Sequence, residues 1–247
     1  MDCYTSLAGG YDSLTEDVQY EKRAAFLQKL LAKSTIPVHT VLDLACGTGT
    51  MTCLLAEAGY EMIGVDLSED MLSEAAGKTV SPGKIPPIYL QQSMEELDLY
   101  GTVEAAVCCL DSINYLTDAR ALKRALQRLH LFVAPGGVFL FDVNTPCKLR
   151  SLDGQVFLDE REDLYCVWRA DFDRRSRICT YGMDIFERQG TLWRRSLEEH
   201  REKAWEVEEL KRFLTEAGFG RIRVWGDCRL RAPRQDEQRI YFSCIRE

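Results

Sequence analysis

Over residues 21–143, short apolar runs alternate with longer stretches in which apolar side chains recur at helical spacing. The longer stretches predict amphipathic helices at residues 21–33, 50–58, 69–76 and 119–132. The short runs, bounded by glycine, proline or polar residues, predict strands at residues 41–45, 61–66, 88–92, 103–110 and 138–143. Strands that alternate with helices are typical of a parallel sheet with helices on both faces, so the predicted fold class is α/β.

A different pattern follows Pro146. Runs of strand-like residues joined by short polar turns predict an antiparallel meander at residues 163–172, 178–187 and 192–201. The earlier pattern then returns, with a helix at 206–217 and strands at 220–225 and 238–245. We therefore predict a main domain of residues 1–146 and 203–247, with a helical lid at 1–33, and an antiparallel β insert at 147–202.

The predicted insert is rich in aromatic residues at alternating positions, namely Tyr165, Trp168, Phe172, Tyr181, Phe186 and Trp193. The aromatic side chains on one face of the meander must pack against the protein core. Any that do not could line a pocket over Ser112 and Tyr115. Aromatic walls suit a small organic ligand better than a nucleic-acid track, which requires Lys and Arg. We therefore interpret the insert as a substrate cap.

The sequence VLDLACGTGT at residues 41–50 joins the first strand to the next helix. Gly47 and Gly49 allow a sharp turn and a close approach of the backbone to a ligand, and the helix start offers free N–H groups. Asp66 ends the second strand, where a carboxylate can accept hydrogen bonds from both hydroxyls of an adenosine ribose. The pattern predicts an adenosine cofactor. The alternatives are a plain tight turn for the two glycines and a helix N-cap for Asp66.

Two details of this loop distinguish between adenosine cofactors. A dinucleotide fingerprint requires glycine at the third position of G-x-G-x-x-G, and Thr52 stands there. Asp43 lies just before the loop, where its charge would repel a pyrophosphate but attract an ammonium or sulfonium group. The loop therefore favours S-adenosylmethionine over NAD.

Four segments together resemble the class I S-adenosylmethionine-dependent methyltransferases: DLACGTGT, GVDLSEDML (64–72), VCCLDSINYL (107–116) and LFVAPGGVFLFDVN (131–144). The likeness covers essentially the whole chain. The likeness is closer to bacterial sugar N-methyltransferases and glycine N-methyltransferases. These proteins begin with a segment similar to the one that contains Tyr4, Tyr11-Asp12 and Tyr20 in this chain. The resemblance implies a Rossmann-like, mostly parallel seven-stranded sheet of order 3-2-1-4-5-7-6 with the last strand antiparallel.

The resemblance also implies cofactor contacts residue by residue. The methionyl end would be held by Asp43, Ala45, Gly47 and Gly49. Asp66 would bind the ribose, with Leu67 and Met71 against the adenine. Ser93-Met94 occupies the place where relatives usually have Asp-Met, so Ser93 would make a weaker contact with the adenine amino group.

Further contacts would come from the end of the fourth strand and from the lid. Leu110, Asp111 and Ser112 would lie beside the transferred methyl group, and Tyr11, Tyr20 and Arg23 resemble a lid over the cofactor carboxylate. For the two tyrosines ordinary packing is the alternative, and for Asp111 a turn cap.

The candidate catalytic residues are His200, Asp111 and Tyr115. Methyl transfer from a sulfonium mainly requires an acceptor held in line, and His200 would serve as the base if one is needed. A surface histidine at a strand end is the alternative. The Asn/Asp-Pro-Pro-aromatic turn of DNA amino-methyltransferases is absent, since residues 111–114 read DSIN. Cys147 could be compared with the nucleophile of cytosine methyltransferases, but no second cysteine is convincingly placed for that reaction.

Composition narrows the classes of partner. The net charge of −8 disfavours nucleic acid, and the ten cysteines show neither a CxxC pair nor metal-ligand spacing, so we expect no metal. With no apolar run approaching ~18 residues and no secretory signal, we expect no membrane partner and a cytoplasmic location.

These observations predict methylation of N or O on a small-molecule acceptor, with S-adenosylhomocysteine as product, by a monomer or homodimer. A tRNA base or a protein side chain is the alternative acceptor. A non-catalytic cofactor-binding protein and an NAD-dependent oxidoreductase are the alternatives from other classes.

Overall fold

The computed structural model describes Thr15 and residues 18–247. The proposed lid residue Tyr11 lies outside the described residues. The first half of the described chain contains α1 (Tyr20–Leu31), β1 (Thr40–Leu44), α2 (Thr50–Glu57), β2 (Glu61–Asp66), α3 (Glu69–Gly77), β3 (Ile88–Gln91), β4 (Val103–Cys108) and α4 (Ala119–Phe132). The second half contains β5 (Val133–Asn144), α5 (Pro146–Ser151), β6 (Gln155–Glu160), β7 (Leu164–Asp173), β8 (Ile178–Gln189), β9 (Leu192–Lys203), α6 (Val207–Glu216), β10 (Phe219–Gly226) and β11 (Arg239–Arg246).

The main sheet has seven strands in the order β3-β2-β1-β4-β5-β11-β10. Strand β11 runs antiparallel to both β5 and β10, whereas the other neighbours are parallel. Counted within this sheet, β10 and β11 are the sixth and seventh strands, so the predicted order 3-2-1-4-5-7-6 is confirmed. The carboxyl ends of the parallel strands meet at one edge, where ligands bind in open α/β sheets.

Both faces of the main sheet are covered by buried apolar clusters. Successive residues of β5 point to opposite faces, so Phe139 and Phe141 join one cluster while Val138 and Leu140 join the other. The second cluster includes the buried stripe of α1, whose Leu27 has no exposed surface. Burial of such a side chain contributes about 2 kcal/mol. The helical spacing in the sequence therefore corresponds to real core contacts.

Strand β5 begins at Val133, earlier than the predicted start at residue 138. The pairing with β4 shifts register between Val103↔Val133 and Ala105↔Val138, so Pro135–Gly137 forms a bulge within the strand. Residue 137 must be small, because a Cβ there would lie 2.7 Å from the carbonyl oxygen of Glu104. The predicted strand begins only after this bulge, because proline and glycine are otherwise typical of turns.

A separate antiparallel sheet follows, in the order β6-β7-β8-β9. The three predicted meander strands are present as β7, β8 and β9, but β6 and the short helix α5 were missed. Strand β6 lies at the sheet edge with three consecutive apolar residues, Val156, Phe157 and Leu158, all exposed, so it lacks the alternation that identifies a half-buried strand. The assignment of residues 147–202 as a substrate cap stays a prediction.

Within residues 15 and 18–247, no helix combines the length and the apolar character that a bilayer crossing requires. The cytoplasmic location stays a prediction.

Candidate cofactor and active site

The loop between β1 and α2 turns through three residues with positive φ: Ala45 (59°), Gly47 (54°) and Gly49 (72°). A Cβ on Gly49 would lie 2.6 Å from the hydroxyl oxygen of Tyr89, so only glycine fits there without displacement. Two backbone hydrogen bonds, both 3.0 Å, fix the turn: the Cys46 amide donates to the Val65 carbonyl, and the Gly49 amide donates to the Cys46 carbonyl. The glycines therefore allow a tight loop at the carboxyl ends of the strands.

Asp66 connects this loop to the next helix. Its Oδ2 accepts a hydrogen bond from the Gly47 amide at 2.8 Å, and its Oδ1 accepts one from the Ser68 amide at 2.9 Å. Ser68 caps α3 by accepting from the Met71 amide. Burial raises the pKa of Asp66, although the backbone donors oppose the shift. Helix capping was the alternative role predicted for Asp66, but Ser68 makes this cap.

Asp43 is almost completely buried at the end of β1, with 1% of its surface exposed. Its Oδ2 accepts a hydrogen bond of 2.6 Å from the Thr52 hydroxyl, which stands where a dinucleotide fingerprint would have its third glycine. Burial raises the pKa of Asp43 to about 7. A cation placed beside this carboxylate would offset the burial and favour its charged form.

The residues proposed for the adenine differ in exposure. Leu67, directly after Asp66, is 67% exposed, whereas Met71 on α3 is 2% exposed, so Leu67 presents the larger apolar surface to a ring. Met94 packs partly buried against the main core, and the Ser93 hydroxyl lies 3.5 Å from Glu96. Contact of these side chains with adenine stays a prediction.

Leu110 and Asp111 follow β4 with positive φ values of 56° and 57°, which is uncommon for residues other than glycine. Their amides donate to the two carboxylate oxygens of Asp142 on β5, at 2.8 and 3.2 Å. The guanidinium of Arg239 on β11 bonds the carboxylates of both Asp111 and Asp142. The predicted strand end at residue 110 is wrong because this turn begins after Cys108.

The pairing with Arg239 affects the role available to Asp111. Charge-assisted hydrogen bonds are stronger than neutral ones, so the ion pair with Arg239 holds the Asp111 side chain in place. That arrangement suits a residue that positions the turn. Ser112 begins a short 3₁₀ helix and donates its hydroxyl to the Cys109 carbonyl at 2.8 Å.

Tyr115 and His200 meet between the two sheets. The Tyr115 hydroxyl lies 3.2 Å from Nδ1 of His200, and the rings pack edge to face with centroids 5.8 Å apart. Nε2 of His200 lies 2.8 Å from a carboxylate oxygen of Glu198, and both side chains are at most 5% exposed. His200 is therefore not a surface histidine, and the structure brings two of the three proposed catalytic residues into contact.

A buried polar network lies beside this pair. Asn114 donates to the carbonyls of Asn144 and Lys203, at 3.0 and 2.9 Å, and accepts from the Asn144 amide at 3.1 Å. The Asn144 side chain donates to Glu202 at 2.7 Å, and burial raises the pKa of Glu202 to about 8. The network joins the end of β5 to β9 of the second sheet, so it fixes the position of His200 relative to Tyr115.

The described part of the proposed lid is anchored to the main sheet. Arg23 donates to the Val18 carbonyl at 2.8 Å and to the Tyr241 hydroxyl at 2.7 Å, and it pairs with Asp227 at 3.2 Å. The Tyr20 hydroxyl donates to Thr15 at 3.4 Å. Contact of Tyr20 and Arg23 with the cofactor carboxylate stays a prediction.

Four residues at this edge were missed by sequence reasoning: Asp142, Glu198, Glu202 and Arg239. Asp142 had a visible signal, because an acid interrupts an otherwise apolar strand in FLFDVN. Among the described residues, no group of three or more His, Cys, Asp or Glu side chains is arranged to hold a metal ion.

Comparison with known proteins identifies the family. A family model described as a methyltransferase domain matches residues 41–137. YqeM of Bacillus subtilis (strain 168), which is named as a methyltransferase, is 32% identical over 97% of this chain and 96% of its own length.

Solved structures agree with this assignment. An S-adenosylmethionine-dependent methyltransferase from Clostridium acetobutylicum ATCC 824 superposes with a TM-score of 0.87 at 29% identity, covering 99% of both chains. The sugar N-methyltransferase KedS8 from Streptoalloteichus sp ATCC 53650 shares the fold, with a TM-score of 0.79 at 22% identity over 96% of this chain and 92% of its own. The chain therefore belongs to the class I S-adenosylmethionine-dependent methyltransferases, a family whose cofactor is S-adenosylmethionine.

Proposed function

We propose that this protein transfers a methyl group to nitrogen or oxygen of a small-molecule acceptor bound between the two sheets. One observation carries the proposal: β9 of the second sheet delivers His200 to Tyr115 at the edge of the main sheet. The acceptor site would then be built from both sheets, with residues 147–202 as its cap.

The residues at the loop fit the cofactor. The buried Asp43 carboxylate, whose pKa burial raises to about 7, suits the ammonium of the methionyl end, and Asp66 suits the ribose hydroxyls. The cofactor supplies an electrophilic methyl group on a sulfonium. Asp43, Ala45, Gly47, Gly49 and Asp66 would hold it, so the protein needs chiefly to align the acceptor atom and exclude water.

Proton transfer from the acceptor would pass through the Tyr115–His200 pair. A carboxylate beside Nε2 favours a proton on that nitrogen, so Nδ1 can accept the Tyr115 hydroxyl proton. Tyr115 would take the proton that leaves the acceptor nitrogen or oxygen as the new bond to carbon forms, and His200 would receive the Tyr115 proton. We propose Asp111 as a residue that positions this turn.

The same pair favours a small acceptor over a large one. His200 is 2% exposed and Tyr115 is partly buried, so an acceptor atom that meets the Tyr115 hydroxyl enters an enclosed part of the molecule. Small-molecule sites are typically concave and mostly apolar, whereas a base in tRNA would have to be drawn out of its stack. The sugar N-methyltransferase among the structural neighbours shows only the fold at its level of identity, so the acceptor is inferred from the residues themselves.

The test is a steady-state assay of S-adenosylhomocysteine release with a panel of amines, amino sugars and hydroxylated metabolites, with bulk tRNA and a protein mixture as further acceptors. For the acceptor found, His200→Gln and Tyr115→Phe should lower kcat by roughly 100- to 10,000-fold, the range typical of general acid–base catalysis. His39→Gln, which alters an exposed histidine before β1, is the matched control.

Binding of S-adenosylhomocysteine should be unchanged in all three variants, which separates loss of chemistry from loss of folding. An unchanged kcat in both His200→Gln and Tyr115→Phe would contradict the proposed proton path. Activity on tRNA or protein alone would contradict the small-molecule acceptor.

A further inference from the structure

A cleft of about 480 Å³ opens between the start of α1, the segment joining β10 to β11, and α5. Its charged lining comprises seven basic side chains (Lys22, Arg23, Lys148, Arg229, Arg231, Arg234 and Arg239) and three acidic ones (Asp227, Asp236 and Glu237). Asp111 and Asp142, which lie outside the lining, bond Arg239, so seven basic groups face five acidic ones and leave an excess of two positive charges in a chain whose net charge is −8. Such a concentration attracts anions.

Three of the basic side chains already have acidic partners. Arg231 pairs with Glu237 through two contacts of 2.9 and 3.1 Å, Arg23 pairs with Asp227, and Arg239 bonds Asp111 together with Asp142 of β5. These pairs fix the walls of the cleft. Four basic side chains and the acidic Asp236 remain in the lining.

The other four basic side chains have no ion pair with any described residue. Lys148 donates to the side-chain oxygen of Asn144 at 2.9 Å, and Lys22 donates to Gln19 at 3.0 Å, both neutral groups. The Arg229 and Arg234 side chains are exposed. Four cations held around one concavity repel each other unless an anion enters between them.

The cleft shares a wall with the active site. Arg239 lines the cleft and bonds Asp111, which begins the turn that carries Tyr115. Lys148 lines it too, and its partner Asn144 belongs to the network that holds β9. Arg239 and Lys148 therefore connect the lining of the cleft to the residues that position Tyr115 and His200.

We propose that this cleft binds a phosphate-bearing group of the methyl acceptor, so that the acceptor is a phosphorylated small molecule rather than a neutral one. The proposal rests on the function proposed above. Guanidinium groups bind phosphate through paired N–H donors, and an excess of two positive charges suits the two or more negative charges of a phosphate ester or diphosphate. The anion would fix one end of the acceptor, while the atom to be methylated lies at the other.

A nucleic acid is the other phosphate-rich partner to consider. Its binding requires a basic track that follows successive phosphates, whereas the positive charge here is concentrated in one cleft of an acidic protein. The observations therefore favour a small phosphorylated acceptor.

The experiment is calorimetric titration of the full chain with inorganic pyrophosphate at low salt, with S-adenosylhomocysteine and bulk tRNA titrated separately. The test variant is Arg229→Gln with Arg234→Gln. The matched control is Arg120→Gln with Arg223→Gln, which removes two exposed arginines that do not line the cleft. We expect the test variant to bind pyrophosphate at least about tenfold more weakly than the native chain, and the control to bind it equally well.

Each other outcome has a distinct meaning. No pyrophosphate binding by the native chain, or equal binding by the native chain and the test variant, would overturn the anion site. Binding of tRNA that is tighter than that of pyrophosphate and is lost in the test variant would overturn the small acceptor. Failure of the native chain to bind S-adenosylhomocysteine would contradict the proposed function, whatever pyrophosphate does.

Discussion

Replacement of Asp43 by asparagine should stabilise the cofactor-free protein at alkaline pH and weaken its cofactor binding. Asp43 is 1% exposed, and burial raises its pKa from 3.8 to about 7 even though Thr52 donates a hydrogen bond to it. Because the pKa is higher in the folded than in the unfolded chain, folding favours the protonated carboxyl. Its contribution to stability is complete below the unfolded pKa of 3.8 and is lost as pH rises through about 7.

The magnitude follows from the shift. About three pKa units correspond to about 4 kcal/mol of unfolding free energy well above neutrality, of which about 3 kcal/mol develops between pH 5 and pH 8. Asparagine keeps the shape of Asp43 and an oxygen that can accept from Thr52, but it carries no charge. The gap in melting temperature between Asp43→Asn and the native chain should therefore widen by roughly 6–12 °C over this range, for a chain of this size.

Scanning calorimetry of the cofactor-free proteins measures this gap. Asp171→Asn, which alters an exposed aspartate on β7, is the control and should leave the melting temperature of the native chain unchanged at both pH values. A gap between Asp43→Asn and the native chain that is the same at pH 5 and pH 8 would refute the assigned cost of burying Asp43.

The same carboxylate governs cofactor affinity in the opposite direction. Only the charged form of Asp43 attracts the ammonium of S-adenosylhomocysteine, so the affinity of the native chain should increase as pH rises towards about 7. Asp43→Asn should bind more weakly and lose most of this pH dependence. Equal affinity of the two proteins at pH 8 would show that Asp43 does not contact the ammonium.

Three further predictions follow from the site. Gly49→Ala should destabilise the protein by roughly 2–4 kcal/mol, because φ is 72° and the new Cβ would lie 2.6 Å from the Tyr89 hydroxyl. Gly77→Ala, which has open space around the new Cβ, should not destabilise it, and urea denaturation compares the two variants. Asp66→Ala should weaken S-adenosylhomocysteine binding by roughly 1–3 kcal/mol in calorimetry, and unchanged affinity would remove Asp66 from the ribose site. Asn114→Ala should lower the unfolding free energy by roughly 2–4 kcal/mol, because it breaks two buried hydrogen bonds to the end of β5 and one to Lys203 of β9. A loss below about 0.5 kcal/mol would contradict that role.

The main sheet was predictable because its elements are local in sequence. The helices show apolar spacing, the strands are short apolar runs, and the loop at Gly47 and Gly49 uses residues that the positive φ values require. Edge strand β6 was not predictable in the same way, because its exposed apolar residues lack alternation. Local sequence patterns predict elements that are regularly buried. They do not predict an exposed edge strand, which pairs with a neighbour on one side only.

The electrostatic arrangement of the site could not be derived from the sequence. Arg239 bonds Asp142 and Asp111 from 97 and 128 positions away, and the Tyr115–His200 contact spans 85 positions. Each of these residues is unremarkable in its own segment. Their roles depend on the order of strands in the sheet and on how the second sheet packs, which only the folded structure shows.

Every role proposed for this site depends on binding of S-adenosylmethionine by the loop at residues 41–50, with Asp43 and Asp66. Calorimetric titration of the native chain with S-adenosylhomocysteine and, separately, with NAD measures this binding. We expect micromolar binding of S-adenosylhomocysteine and no detectable heat with NAD. Binding of NAD without binding of S-adenosylhomocysteine would contradict it.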